Sequence, residues 1–103
     1  FDISRVSIKD NDGDSDLVQV TYKIFEQDTN GTLIAEKTVS LDRTSQYTPS
    51  SETITPDSEY SIKSTQFYTI VVIGMDEDGN EDSVTAEEVT EDSGGENLEG
   101  NFG

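Results

Sequence analysis

Between Leu17 and Glu26 the chain reads LVQVTYKIFE. On an extended backbone Val18, Val20, Tyr22 and Ile24 fall on one side, and Gln19, Thr21 and Lys23 fall on the other. A period of two is the mark of a half-buried strand, because a helix would scatter the same residues around its axis. A second run, Phe67–Met75 (FYTIVVIGM), is apolar on both sides: Tyr68, Ile70 and Val72 on one, Phe67, Val71 and Ile73 on the other. Such a strand is expected at the centre of a fold, covered on both faces. The apolar residues are also of the right kind. Of 24 Leu, Ile, Val and Phe, 16 are Ile or Val, whose branched Cβ favours a pleated backbone over a helix.

The remaining segments fit around these two. In Phe1–Asp10 the apolar residues sit at 1 and 3, then at 6 and 8. The change of parity near Ser4–Arg5 predicts a bulged strand or one that switches sheets. Asn30-Gly31 is a strong hairpin signal and links the Leu17 strand to one at about Leu33–Leu41. There Lys37 interrupts the apolar side, which suits a sheet edge. Asp42–Ser51, with Pro49, reads as a surface loop in which Tyr47 is exposed. Short strands are expected at Ser51–Thr55 and from Tyr60, separated by a turn at Pro56-Asp57-Ser58, and a last one at Ser83–Val89 after the turn Asp76–Asp82.

About seven short strands at roughly ten-residue spacing, with no convincing helical period, predict an all-β fold, an antiparallel Greek-key β-sandwich. Residues 1–90 form this one domain. Residues 91–103, rich in Gly, Glu and Asn, read as a flexible acidic tail or linker. The chain starts at Phe1 rather than Met, as expected of a processed or excised segment.

Charge narrows the function. There are 23 Asp+Glu against 6 Lys+Arg, a formal net charge of -17, and no His, Cys or Trp. Thiol and imidazole catalysis, zinc sites and disulfides lack their residues. Nucleic acid and anionic membrane surfaces would repel the chain. No apolar run reaches the ~18 residues of a membrane-spanning helix. A carboxylate pair is compatible with acid–base chemistry, but a thin sandwich offers little apolar cavity to tune it, so the expectation is that the chain is not an enzyme. So many carboxylates on a small body repel one another, and molar salt removes most of that repulsion. Halophilic adaptation is the expected setting.

Phe67–Thr85 (FYTIVVIGMDEDGNEDSVT) resembles the last hairpin of PKD-like and fibronectin-type-III-like modules. In these a Tyr-led apolar strand, here led by Tyr68, runs into a D-x-x-G-N turn, here Asp76, Gly79 and Asn80. The strand pattern I-x-x-V-x-I, the acidic D-x-D-G-D loop and the LVQVTYKI strand resemble Ig-like repeats of secreted and cell-surface proteins of halophilic archaea. The core Trp common in both module types is absent, Tyr22 stands in its place, and Asp57–Gln66 looks like an insertion. The resemblance implies an Ig-like, extracellular, non-catalytic module, often one bead in a larger surface protein.

Two acidic loops are candidate metal sites: Asp10, Asp12, Asp14 and Asp16 in the first, Asp76, Asp78, Asn80 and Asp82 in the second. Calcium takes about six to eight oxygen ligands on a tightly turning backbone, and such loops supply them. If strands alternate in direction, both loops lie at one end, with up to nine carboxylates when Glu77 and Glu81 are included. The competing reading is that Asp-Gly and Gly-Asn serve only the turns. Asn30-Gly31-Thr32 is also a glycosylation sequon at Asn30, although the turn needs no sugar. Tyr60 has the spacing of a tyrosine corner. The favoured function is a structural or spacer module whose partners are neighbouring domains or subunits of a surface assembly. The alternatives are a calcium-assisted adhesion module binding a glycan or protein ligand, and a filament subunit whose Phe1–Arg5 completes a neighbour's sheet by donor-strand exchange.

Overall fold

The computed structural model describes residues 2–10, 15–27, 30–49, 52–56, 67–90 and 96–102. They form eight strands: β1 (Asp2–Asp10), β2 (Leu17–Glu26), β3 (Leu33–Thr44), β4 (Gln46–Tyr47), β5 (Glu52–Thr53), β6 (Phe67–Asp76), β7 (Glu81–Thr90) and β8 (Glu96–Phe102). Two four-stranded sheets result. Sheet B has the order β3-β2-β6-β7, all antiparallel. Sheet A is centred on β1, with β4 and β5 on one edge and β8 on the other. The all-β expectation holds, and β3 is a sheet edge as Lys37 indicated.

The alternating residues of β2 bury one row. Val20, Tyr22 and Ile24 are fully buried, together with Tyr68, Ile70 and Val72 of the neighbouring β6. Val6 and Ile8 of β1, Tyr47 of β4 and Ile54 complete a single apolar cluster shared by both sheets. Each such side chain contributes on the order of 1.5–3 kcal/mol by leaving water. Val18 departs from the sequence reading. The β2 register shifts between Leu17 and Gln19, so Leu17 enters the core while Val18 is only half-buried.

The parity change in β1 has its counterpart in the β1–β8 ladder, where the register shifts between Ile3 and Arg5. On the other edge, β4 and β5 both pair with β1. Ile8 pairs with Tyr47 and Ile3 with Glu52, both antiparallel and in the same register. Between them lies Pro49, which has no N–H to give to a ladder.

Two further expectations are corrected. Glu96–Phe102, read from composition as part of a linker, is strand β8 and pairs in parallel with β1. Its sparse apolar content hid it. What it gains is a ladder of backbone hydrogen bonds to an otherwise open edge, and that does not register in hydropathy. Tyr47, expected in an exposed loop, is buried, because β4 lays it against β1 opposite Ile8. The β2–β3 hairpin forms as expected, with β2 ending at Glu26, β3 starting at Leu33 and Glu26 N donating to Thr32 O (2.9 Å). Gln27, at the start of the loop, takes a left-handed φ of 66°. As expected, β6 is central in sheet B; on its outer side Val71 is buried, Ile73 is half-buried and Phe67 is exposed. The strand expected from Tyr60, with its proposed tyrosine corner, lies outside the described residues.

Candidate functional site

The second acidic loop is a tight hairpin turn organised by one carboxylate. Gly79 takes φ 88°, a conformation open to glycine at little cost. Its N–H donates to Asp76 O (3.1 Å), and Asp76 N donates to Asn80 O (3.0 Å). Asp76 Oδ1 accepts from the backbone N–H of Asp78 and of Asn80, each at 2.9 Å, and Oδ2 accepts from Asn80 Nδ2 at 3.1 Å. Hydrogen bonds to the ionised form favour it. The Asn80 backbone N–H, then its side chain, hold the Asp76 carboxyl below the ordinary range. Its oxygens are thus already engaged by the turn that carries them. Asp78 and Asn80 are exposed, and Asp82 lies within β7, in register with Gly74.

The first loop reaches the same end of the molecule. Asp10 closes β1 and Asp16 immediately precedes β2, half-buried. Leu17 pairs with Asp76 on one side and Thr44 on the other. The start of β2 therefore lies between the end of β3 and the second acidic turn, as strand alternation required. Asp12 and Asp14 lie outside the described residues. Among the described residues no three acidic groups converge in a way that could hold a metal ion.

This end has a cation that sequence reading passed over. Arg43, one residue before Thr44, reaches across the start of β2 to Glu77. Nε lies 3.1 Å from Oε2, and Nη2 donates to Oε1 at 3.3 Å. The fork-to-fork geometry suits guanidinium and carboxylate. Arg43 also takes a left-handed φ of 40°, where β3 turns towards sheet A. Nothing local in DRTS announces that turn; only the pairing of β4 with β1 reveals it. Asn30, the sequon residue, is exposed in the β2–β3 loop.

The outer face of sheet B is the other feature of note. Thr21 and Thr38 hydroxyls meet at 3.3 Å and Lys23 Nζ lies 3.8 Å from Glu36 Oε2. With Ile73 and Glu81 these four line a depression of about 200 Å³. That is below the ~300–1,000 Å³ of ordinary ligand pockets.

The chain matches no protein-family model, no curated protein and no solved structure. The functional reading therefore rests on its own geometry and charge.

Proposed function

We propose that the chain is a non-catalytic spacer module of a secreted or cell-surface protein, folded as an Ig-like Greek-key β-sandwich and adapted to high salt. One observation carries the reading: the parallel pairing of β1 with β8. Ile3 lies opposite Glu96 and Asp10 opposite Phe102. The chain therefore enters sheet A at one end and leaves it at the other. The body measures 41 × 23 × 20 Å. A nine- or ten-residue strand spans about 30 Å, so the strands run along the long axis. A bead with its attachment points at opposite ends of its long axis adds its full length to a string of domains. The net charge of -17 keeps such a string soluble and its beads apart.

The test is a tandem of two copies joined Gly103 to Phe1, measured by small-angle X-ray scattering in molar NaCl. The spacer reading expects a largest dimension roughly twice the 41 Å axis. A pair folded back side by side, little longer than one copy, contradicts it.

The calcium-assisted adhesion reading has the common placement of the two acidic loops in its favour. Against it stands Asp76, whose oxygens the turn already uses. Calcium titration in molar salt decides: a heat of binding with a raised melting temperature supports it, and their absence removes it. For the filament reading, Asp2 and Ile3 pair with Thr53 and Glu52 of their own chain, so a donor role for Phe1–Arg5 would first have to break that pairing.

A further inference from the structure

The β2–β3 loop carries Asn30-Gly31, whose chemistry goes beyond making a turn. An asparagine side chain places its amide carbon within reach of the backbone nitrogen of the next residue. When that residue is glycine, no Cβ hinders the approach and the backbone bends freely into it. The chain has five Asn, at 11, 30, 80, 97 and 101, and Asn30 alone precedes a glycine. The fold sets this pair apart from its ladders. The last β2–β3 pair is Phe25 with Leu33, and the closing bond runs from Glu26 N to Thr32 O, so Asn30 and Gly31 lie beyond both. Both residues are exposed, and neither belongs to the core. Asp78-Gly79 is the contrast. There Gly79 N–H donates to Asp76 O (3.1 Å), Asp78 N–H donates to Asp76 Oδ1 (2.9 Å), and Gly79 is fixed at φ 88°. The nitrogen that would attack is engaged by the turn.

We propose that Asn30 is a site of spontaneous deamidation, with water and its hydroxide as the only co-reactants. The Gly31 backbone nitrogen, its proton taken by hydroxide, attacks Asn30 Cγ. The N–Cγ bond forms, the Cγ–Nδ2 bond breaks, and Nδ2 takes a proton from water and leaves as ammonia. A cyclic imide, the succinimide, remains. Water then adds to one of its two carbonyls. Breaking the bond to Cγ gives aspartate at position 30. Breaking the bond to the main-chain carbon gives isoaspartate, in which the backbone runs through Cγ. No electron transfer is involved. Either product adds one carboxylate, taking the formal net charge from -17 to -18, and removes the amide that the glycosylation sequon requires. The inference stands on this loop alone and not on the spacer reading.

The experiment incubates the full chain in molar NaCl at mildly alkaline pH, beside a second sample unfolded in guanidinium chloride. Trypsin releases Ile24–Lys37, which contains Asn30. Mass spectrometry follows the conversion of its amide to a carboxylate, and fragment ions distinguish aspartate from isoaspartate. In the folded chain Asn30 is expected to convert within about tenfold of its unfolded rate, and faster than the other asparagines. Asp78 should give isoaspartate only in the unfolded sample. Gly31→Ala should slow conversion by about tenfold, since a Cβ restricts the backbone that carries the attacking nitrogen. Asn30→Gln, with a side chain too long for the same ring, should abolish it in that peptide. Folding protection of Asn30 by more than about tenfold, conversion of Asn80 as fast as that of Asn30, or an unchanged rate in Gly31→Ala overturns the proposal. So does isoaspartate at Asp78 forming as fast in the folded sample as in the unfolded one, because the turn then restrains nothing.

Discussion

The phenol of Tyr22 donates to the phenol oxygen of Tyr47 at 3.0 Å inside the shared core. Tyr22 belongs to sheet B and Tyr47 to sheet A, so this bond ties the two layers together. A buried hydrogen bond contributes about 1 kcal/mol net, and leaving one partner behind costs more. Tyr22→Phe and Tyr47→Phe are each expected to destabilise by about 1–2 kcal/mol. The double variant should cost less than the sum of the two, because the shared bond is lost only once. Urea unfolding of the four proteins gives the coupling. Simple additivity would mean that the two phenols act independently.

Asp76 makes stability depend on pH in a definite direction. Its carboxyl is held below its ordinary value of 3.8 in the fold, so the unfolded chain binds a proton more readily than the native one. The contribution is fully present above the unfolded pKa and is lost as pH falls through the lower, folded value. Asp76→Asn should therefore destabilise the chain at pH 7, and the gap between the two proteins should narrow below about pH 4. Comparing urea midpoints at neutral and acid pH isolates the effect from the other carboxylates. A gap that stays constant with pH would contradict it.

At Gly79 the demand is purely one of backbone. A Cβ added there meets nothing within 4 Å, yet φ is 88°. Gly79→Ala should lower stability by about 1 kcal/mol, with Gly79→Asn costing less, because Asn tolerates positive φ better than Ala. Thermal melts of both variants check the order. If Ala and Asn cost the same, conformation is not the cause.

The charge excess predicts a salt response. With 23 acidic against 6 basic residues, raising NaCl from tens of millimolar to molar shortens the screening length to roughly 3 Å and removes most of the self-repulsion. The melting temperature should climb steeply over that range. A flat curve would remove the halophilic reading.

How much of this was legible in the sequence follows from what each feature depends on. The period of two in β2 and the double-sided apolarity of β6 write the all-β fold and half of the core directly. The parity change near Ser4–Arg5 announced the β1 irregularity, and Asp76, Gly79 and Asn80 announced their turn. These are local signals. Tyr47 and Glu96–Phe102 were misread because their structure comes from β1, a strand distant in sequence that supplies hydrogen bonds whatever the hydropathy of its partner. Arg43 was missed for the same reason: its carboxylate, Glu77, lies on another strand. The outer face of β6 was read as apolar and covered; Val71 is buried there and Phe67 is exposed, a difference between two ends of one strand that hydropathy does not show.

The account turns on β8 running parallel to β1. The chain has no native cysteine, so Asp2→Cys and Phe102→Cys can carry spin labels without interference, and their separation can be measured by double electron–electron resonance in molar NaCl. Parallel strands predict a distance of about 25–30 Å, from the rise per residue along β1. A distance below about 15 Å, as an antiparallel return would give, would contradict the head-to-tail arrangement and the spacer function built on it.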